Sequence, residues 1–158
     1  LLEYDTHNEI VREKIPVNIS SVAGAGSPQL GISFIGAGSY AMGNLLPNIE
    51  VSGSTALKGV MTSSGTSART VAEKFGFQYC AAAESDILDE KETNTIFIAT
   101  RHDTHFGYVK KALDSGKNVF VEKPLCMIEN ELHEITDIYQ NLADEGNPRA
   151  LMVGCTAG

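Results

Sequence analysis

The sequence predicts an α/β domain, a doubly wound parallel sheet held between helices in three α/β/α layers. Three observations predict it. From Gly31 onward, short apolar or β-branched runs alternate with longer stretches whose apolar residues recur every three or four positions, the pattern of right-handed βαβ crossovers. Thr95–Ala99, Thr-Ile-Phe-Ile-Ala, is a β-branched apolar run of the kind expected of a strand covered on both sides. Ile32–Ile35 leads directly into Gly36-x-Gly38-x-x-Ala41, a strand, a glycine turn and the start of a helix.

Taken in order, Gly31–Ile35 is the first strand and Ser39–Ile49 the first helix, which Pro47 should bend near its end. Ala56–Met61 is the second strand. Ser67–Phe75 is a helix with Ala68, Val71, Ala72 and Phe75 on one face, stopped by Gly76. Gln78–Cys80 is a short strand, and Ser85–Leu88 a helical turn that Ser85 should cap. The strand Thr95–Ala99 is followed by a helix, Asp103–Ser115, with Asp103 as its N-cap and Phe106, Val109 and Leu113 facing inward. Asn118–Val121 is the next strand. Glu129–Ala143 is a helix with Leu132, Ile135, Tyr139 and Leu142 on one side, and Gly146-Asn147-Pro148 turns the chain into a last strand, Ala150–Val153. Ahead of all this, Leu1–Val17 is charged and mixed, and Asn18–Gln29 has the Ser/Gly/Ala composition of a linker. Residues 1–30 therefore read as a leader and 31–158 as the domain.

Bulk properties narrow the function. The chain has 158 residues, enough for one domain with a full core, and 42% hydrophobic and 20% charged residues. A net charge of −8 argues against nucleic acid and anionic membrane surfaces as partners. No apolar run reaches the length of a membrane span. Cys80, Cys126 and Cys155 are widely spaced, with neither a disulfide framework nor a zinc or redox motif, which suits packing residues in a reducing cytoplasm.

The chemistry gathers where strands end. In the glycine turn, Gly36 permits the tight bend, Gly38 lets backbone approach a pyrophosphate, and Ala41 lets the helix pack close to the strand. Amide groups at the helix start then face the anion, as in a dinucleotide site. Thr62-Ser63-Ser64 follows the second strand, Thr100-Arg101-His102-Asp103-Thr104-His105 the strand at Thr95–Ala99, and Glu122-Lys123-Pro124 the next. In a parallel sheet these clusters share one edge. An NAD enzyme usually carries Asp or Glu about 20 residues beyond the glycines, to hold the ribose 2′-hydroxyl. Thr62 stands there instead; the small hydroxyls with Arg69 can receive a 2′-phosphate, or they can serve an NAD ribose. Lys123 can donate a proton or polarise a substrate hydroxyl, with Pro124 fixing the backbone that aims it; a surface lysine in a turn is the plainer reading. No nucleophile triad and no metal-ligand spacing is present.

Together, Gly36–Ala41 (Gly-Ala-Gly-Ser-Tyr-Ala), Ala99–His105 (Ala-Thr-Arg-His-Asp-Thr-His) and Val119–Leu125 (Val-Phe-Val-Glu-Lys-Pro-Leu) resemble the glucose–fructose oxidoreductase / inositol 2-dehydrogenase (Gfo/Idh/MocA) family of NAD(P)-dependent oxidoreductases, from Gly31 to about Val153. The resemblance implies a Rossmann domain with NAD or NADP as cofactor. It implies Lys123 as the catalytic or substrate-orienting residue, Ala99, Thr100, Arg101 and His105 along the cofactor pocket, and Glu122 on the nicotinamide side. The expected contact set is completed by Gly36, Gly38, Ser39, Tyr40, Ala41, Thr62, Ser63, Lys123 and Pro124, with no metal. The implied reaction is hydride transfer between nicotinamide and a sugar, polyol or sugar-nucleotide hydroxyl; a non-catalytic nucleotide-binding regulatory or scaffolding module is the alternative. A narrower likeness, in Gly59–Thr62 with Ser67–Gly76 and in Thr100–Asp103, is to the carboxyl-terminal half of bi-domain bacterial oxidoreductases. It implies fusion to a further catalytic half, while the family resemblance as a whole implies association into homo-oligomers, and the cysteines a cytoplasmic setting. Two departures stand out: the acid expected at Thr62 is missing, and the family's carboxyl-terminal substrate domain is expected to be absent from this chain.

Overall fold

The computed structural model describes residues 14–17 and 30–154. The linker expected at 18–29 and most of the leader lie outside the described residues. Seven strands are seen: β1 Ile15–Pro16, β2 Leu30–Ile35, β3 Thr55–Met61, β4 Tyr79–Cys80, β5 Thr95–Ile98, β6 Asn118–Glu122 and β7 Leu151–Gly154. They form one sheet in the order β1-β4-β3-β2-β5-β6-β7. All neighbouring pairs are parallel except β1 with β4, which is antiparallel and sets Ile15 opposite Cys80 and Pro16 opposite Tyr79. The order reverses at β2, flanked by β3 and β5. A ligand crevice belongs there, beyond the carboxyl ends of the strands.

Two apolar cores cover the two faces. On one, Phe34, Val60 and Leu57 meet Ala41 and Leu46 from the segment after β2 and Ala68, Val71 and Ala72 from helix α1, Gly65–Phe75. On the other, Ile35, Ile96, Ile98 and Val121 meet Ile87 of α2 (Ser85–Leu88), Val109 and Leu113 of α3 (His105–Asp114) and Ile135 of α4 (Glu129–Asp144). Phe34 is fully buried at the centre, edge-on to Phe77 and stacked on Phe97, which stacks in turn on Phe120. A buried polar seam between β2, β3 and the approach to β5 is satisfied: Ser33 Oγ lies 2.7 Å from Thr93 Oγ1 and accepts the Gly59 amide at 3.0 Å.

Several expectations need correction. The segment after β2 is not a regular helix. Its Leu46 amide donates to the Ala41 carbonyl, five residues back, and a tight turn at Leu46–Asn48 follows. Pro47, which has no N–H, sits in the first turn of that tighter stretch, so the chain widens before it and narrows after it. Ser85 does not cap α2. No side chain caps it: Asp86 Oδ2 instead accepts the Ala82 and Ala83 amides of the preceding loop at 2.8 and 3.0 Å. Helix α3 starts two residues later than Asp103, which is exposed in a short turn at His102–Thr104 and caps nothing. Leu132 and Tyr139 of α4 face outward; Ile135 is buried, with Ile138 and Leu142 packed beside it. Phe97 is half-buried, so one face of β5 is less covered than its composition implies. Helix α1, in contrast, has the expected stop: Gly76 adopts φ 84°, and its amide returns to Ala72. No helix among the described residues is long and apolar enough to cross a membrane.

Two outcomes follow. Phe34→Ala should lower the free energy of unfolding by about 3–5 kcal/mol in a denaturant titration, because the site is fully buried and ringed by aromatic neighbours. Tyr79 is buried, donates its hydroxyl to the Asp86 carbonyl at 3.0 Å, and is pushed up to about 12 by that burial and then by the Glu90 carboxylate. The folded state thus disfavours the phenolate. The contribution is complete below the ordinary tyrosine value of 10.0 and is lost as pH rises towards about 12. Tyr79→Phe should flatten that alkaline decline in stability measured at a series of pH values.

Candidate functional site

The floor of the site is the turn after β2. Gly36 has φ 84°, and its amide donates to the Met61 carbonyl of β3 at 2.8 Å. A Cβ built there would stand 2.6 Å from the Ala99 carbonyl oxygen and 2.7 Å from the Thr100 methyl carbon. The bend therefore needs glycine on two counts, conformation and space. Gly38 is different: a Cβ there would meet nothing within 4 Å. Its carbonyl accepts the Met42 amide at 3.0 Å, the first in the turn to find a carbonyl partner. Ala41 is buried at 1% exposure against β2, as close helix-to-strand packing requires.

Over this floor opens a cleft of about 750 Å³. Its wall on the β3 side comprises Met61, Thr62 and Ser63 with Ser67, Thr70 and Val71 of α1. Thr62 Oγ1 donates to the Ser64 carbonyl at 2.7 Å, and Ser64 Oγ caps α1 by accepting the Ser67 amide at 3.2 Å. The opposite wall is Ala99, Thr100, Arg101, Thr104 and Tyr108, from β5 into α3. Thr104 Oγ1 ties this loop together, 2.7 Å from both Thr100 Oγ1 and the Arg101 carbonyl. Of the expected residues, Gly36, Gly38, Ser39, Thr62, Ser63, Ala99, Thr100 and Arg101 thus share one cleft. Arg69 does not line it; its Nε is paired with Glu73 Oε1 at 2.8 Å on the exposed face of α1.

Apart from Ala41, buried beneath the turn, the remaining expected residues lie towards the end of β6. The cleft is not lined by Tyr40, Ala41, His105, Glu122, Lys123 or Pro124. His105 is fully buried, its Nδ1–H donating to the Pro124 carbonyl at 2.7 Å while Nε2 stands 3.2 Å from the Thr100 carbonyl. It ties the loops after β5 and β6 together behind the Thr100 wall of the cleft. Lys123 is exposed, with no hydrogen bond or ion pair among the described residues, and precedes a cis peptide to Pro124. Glu122 folds over Gly154 of β7, where an added Cβ would lie 2.8 Å from Glu122 Oε1, and that oxygen is buried without a hydrogen-bond partner. The Tyr40 phenol is raised above the usual tyrosine value, first by desolvation and then by the Glu122 carboxylate. Sequence reasoning missed Ala37, Met42, Met61, Ser67, Thr70, Val71, Thr104 and Tyr108 in the cleft. Thr104 and Tyr108 are one helical turn apart, and Ser67, Thr70 and Val71 share a flank of α1; position on a turn beside a strand end was the available signal.

His105→Ala removes the buried imidazole that donates to the Pro124 carbonyl and should cost about 1–3 kcal/mol of folding free energy. Lys123→Met, at an exposed position without partners, should stay within about 0.5 kcal/mol of the parent. Urea unfolding of both variants checks this contrast.

Residues 30–155 match the family model described as GFO_IDH_MocA, oxidoreductase family, NAD-binding Rossmann fold. A dTDP-3,4-didehydro-2,6-dideoxy-alpha-D-glucose 3-reductase of Streptomyces violaceoruber is 33% identical over 111 residues, 69% of this chain and 32% of that protein. KijD10, a 3-ketoreductase from Actinomadura kijaniata solved with NADP, shares the fold at TM-score 0.68 and 20% identity, over 80% of this chain and 38% of that one. GenD2 from gentamicin A biosynthesis, solved with NAD, does so at TM-score 0.69 and 20% identity, over 84% of this chain and 36% of that one. The chain spans about a third of the length of these relatives. It belongs to the GFO_IDH_MocA oxidoreductase family, whose NAD-binding Rossmann fold it supplies.

Proposed function

We propose that the cleft holds a nicotinamide dinucleotide by its pyrophosphate and adenosine ends, and that the chain serves hydride transfer to or from a sugar or sugar-nucleotide carbon. One observation carries the dinucleotide reading. Gly38 has no neighbour that a side chain would disturb, yet it faces the head of the cleft between two strand-end walls. Space kept clear at a helix start fits close approach of a phosphate linkage to backbone. When bound, the nicotinamide supplies or accepts the hydride. The chain's own groups do the rest. Amides of the Gly38–Ala41 turn bind the linkage, and the paired walls hold the adenosine. Lys123 Nζ, uncommitted at the end of β6, hydrogen-bonds the reacting oxygen and carries its proton. Glu122, with one buried oxygen still unpaired, lies beside it to orient the nicotinamide side. The sugar-nucleotide substrate class rests on the reductase relative at 33% identity. A cytoplasmic setting fits Cys80 and Cys126 as free thiols. Association with copies of itself and fusion to a further catalytic half rest on the family resemblance.

Gly38→Val should leave the melting temperature unchanged and weaken dinucleotide binding by about tenfold or more, read by titrating the chain with NADH and NADPH. Unchanged affinity would remove the pyrophosphate from this turn. In the full-length protein, Lys123→Met should retain dinucleotide affinity and lower turnover by about a hundredfold or more. Turnover at the parent rate would take Lys123 out of the chemistry.

A further inference from the structure

The adenosine end of the cleft carries a charge pattern that selects between the two forms of the dinucleotide. No residue lining the cleft is Asp or Glu, although the whole chain has a net charge of −8. A carboxylate at the end of β3 would accept a ribose 2′-hydroxyl and repel a 2′-phosphate. Thr62 stands at that place, with Ser63, Ser67 and Thr70 along the same wall. The lining has one formal charge, the Arg101 guanidinium. It is available for a ligand: its side chain is 86% exposed, and its partner, Asp103 Oδ1, stands 3.8 Å from Nε, beyond hydrogen-bond range. Arg69, the other nearby cation, is held by Glu73 away from the cleft.

The sheet order sets the Arg101 loop across the glycine turn from the hydroxyl wall. β3 and β5 flank β2, so the ends of β3 and β5 stand on either side of the glycine turn. We propose that this chain selects the 2′-phosphorylated dinucleotide, with Arg101 crossing from the β5 side to pair a phosphate that the Thr62–Ser63 wall accepts. The inference rests on the dinucleotide reading of the cleft. A phosphate monoester carries close to two negative charges at neutral pH, and a guanidinium offers it a paired fork of donors. The selection thus comes from a strand-end loop opposite the place where a carboxylate would enforce the reverse choice.

The test is a titration of the 158-residue chain with NADPH, NADH and 2′,5′-ADP, in the parent, Arg101→Ala, Arg101→Lys and Thr62→Asp forms, each first shown to melt like the parent. NADPH should bind about tenfold or more tighter than NADH, and 2′,5′-ADP should displace it. Arg101→Ala should weaken NADPH by about tenfold and NADH by less than about threefold, with partial recovery in Arg101→Lys. Thr62→Asp should move the preference towards NADH. NADH binding as tightly as NADPH, or an equal loss of both in Arg101→Ala, would overturn the selection while leaving the cleft a dinucleotide site. Failure of the folded parent to bind either nucleotide would remove the dinucleotide reading and this inference with it.

Discussion

Where β2 ends, a glycine lies so close to the Ala99 carbonyl that a single methyl group would overlap it. Everything around the site is arranged by that contact. The Gly36 amide is held from the other side by the Met61 carbonyl, so the ends of β2, β3 and β5 are drawn to one point. From there the chain leaves in an irregular turn that has no need to be a good helix. Leu46, Ala41 and their neighbours anchor it to Phe34 and Leu57 by burial, and burial outweighs the local disfavour of Gly43 and Pro47. The cleft is the space left above the pinch. Its two walls belong to different strands and are rigid for different reasons: a capped helix start on one side, a threonine-tied loop on the other.

The proposed chemical group and the proposed binding cleft are neighbours without sharing a surface. Lys123 stands at the end of β6, one strand beyond the wall formed by the β5 loop. The connection between them is His105, with one ring nitrogen on the Pro124 carbonyl and the other beside the Thr100 carbonyl. A residue that looks catalytic by type is thus a brace. Placing the imidazole inside costs its hydration, which the bond to a carbonyl otherwise without a donor offsets. The turn that follows Lys123 and the Thr100 wall of the cleft are tied by the same ring.

The alternation of strands and helices was plain in the sequence because burial on both sides of a sheet forces it. Val71 and Ala72 in α1, or Val109 and Leu113 in α3, could go nowhere else. The glycine turn was also legible, since few other residue patterns permit that bend. Three things were not. The wide turn at Ala41–Leu45 depends on where Pro47 happens to fall relative to the core contacts of Leu46, which no period reveals. The outward face of α4 was misread because Leu132 and Tyr139 satisfy helical spacing as well as Ile138 does. The separation of His105 and Lys123 from the cleft was hidden because a strand end fixes the level of a residue in the sheet and leaves its direction to the loop. Side-chain direction there is decided by single hydrogen bonds.

The two-residue strand at Ile15–Pro16 closes the sheet on its β4 side. The Val17 amide reaches the Gln78 carbonyl at 2.9 Å, and Lys14 lies over the Tyr79 ring and pairs with Glu90. A proline in an outermost strand has no N–H to offer a newcomer, and a lysine next to it discourages apolar neighbours. Among the described residues that margin is thus the poorer template for another molecule's strand, while the opposite border, β7, carries Met152 and Val153 exposed to solvent.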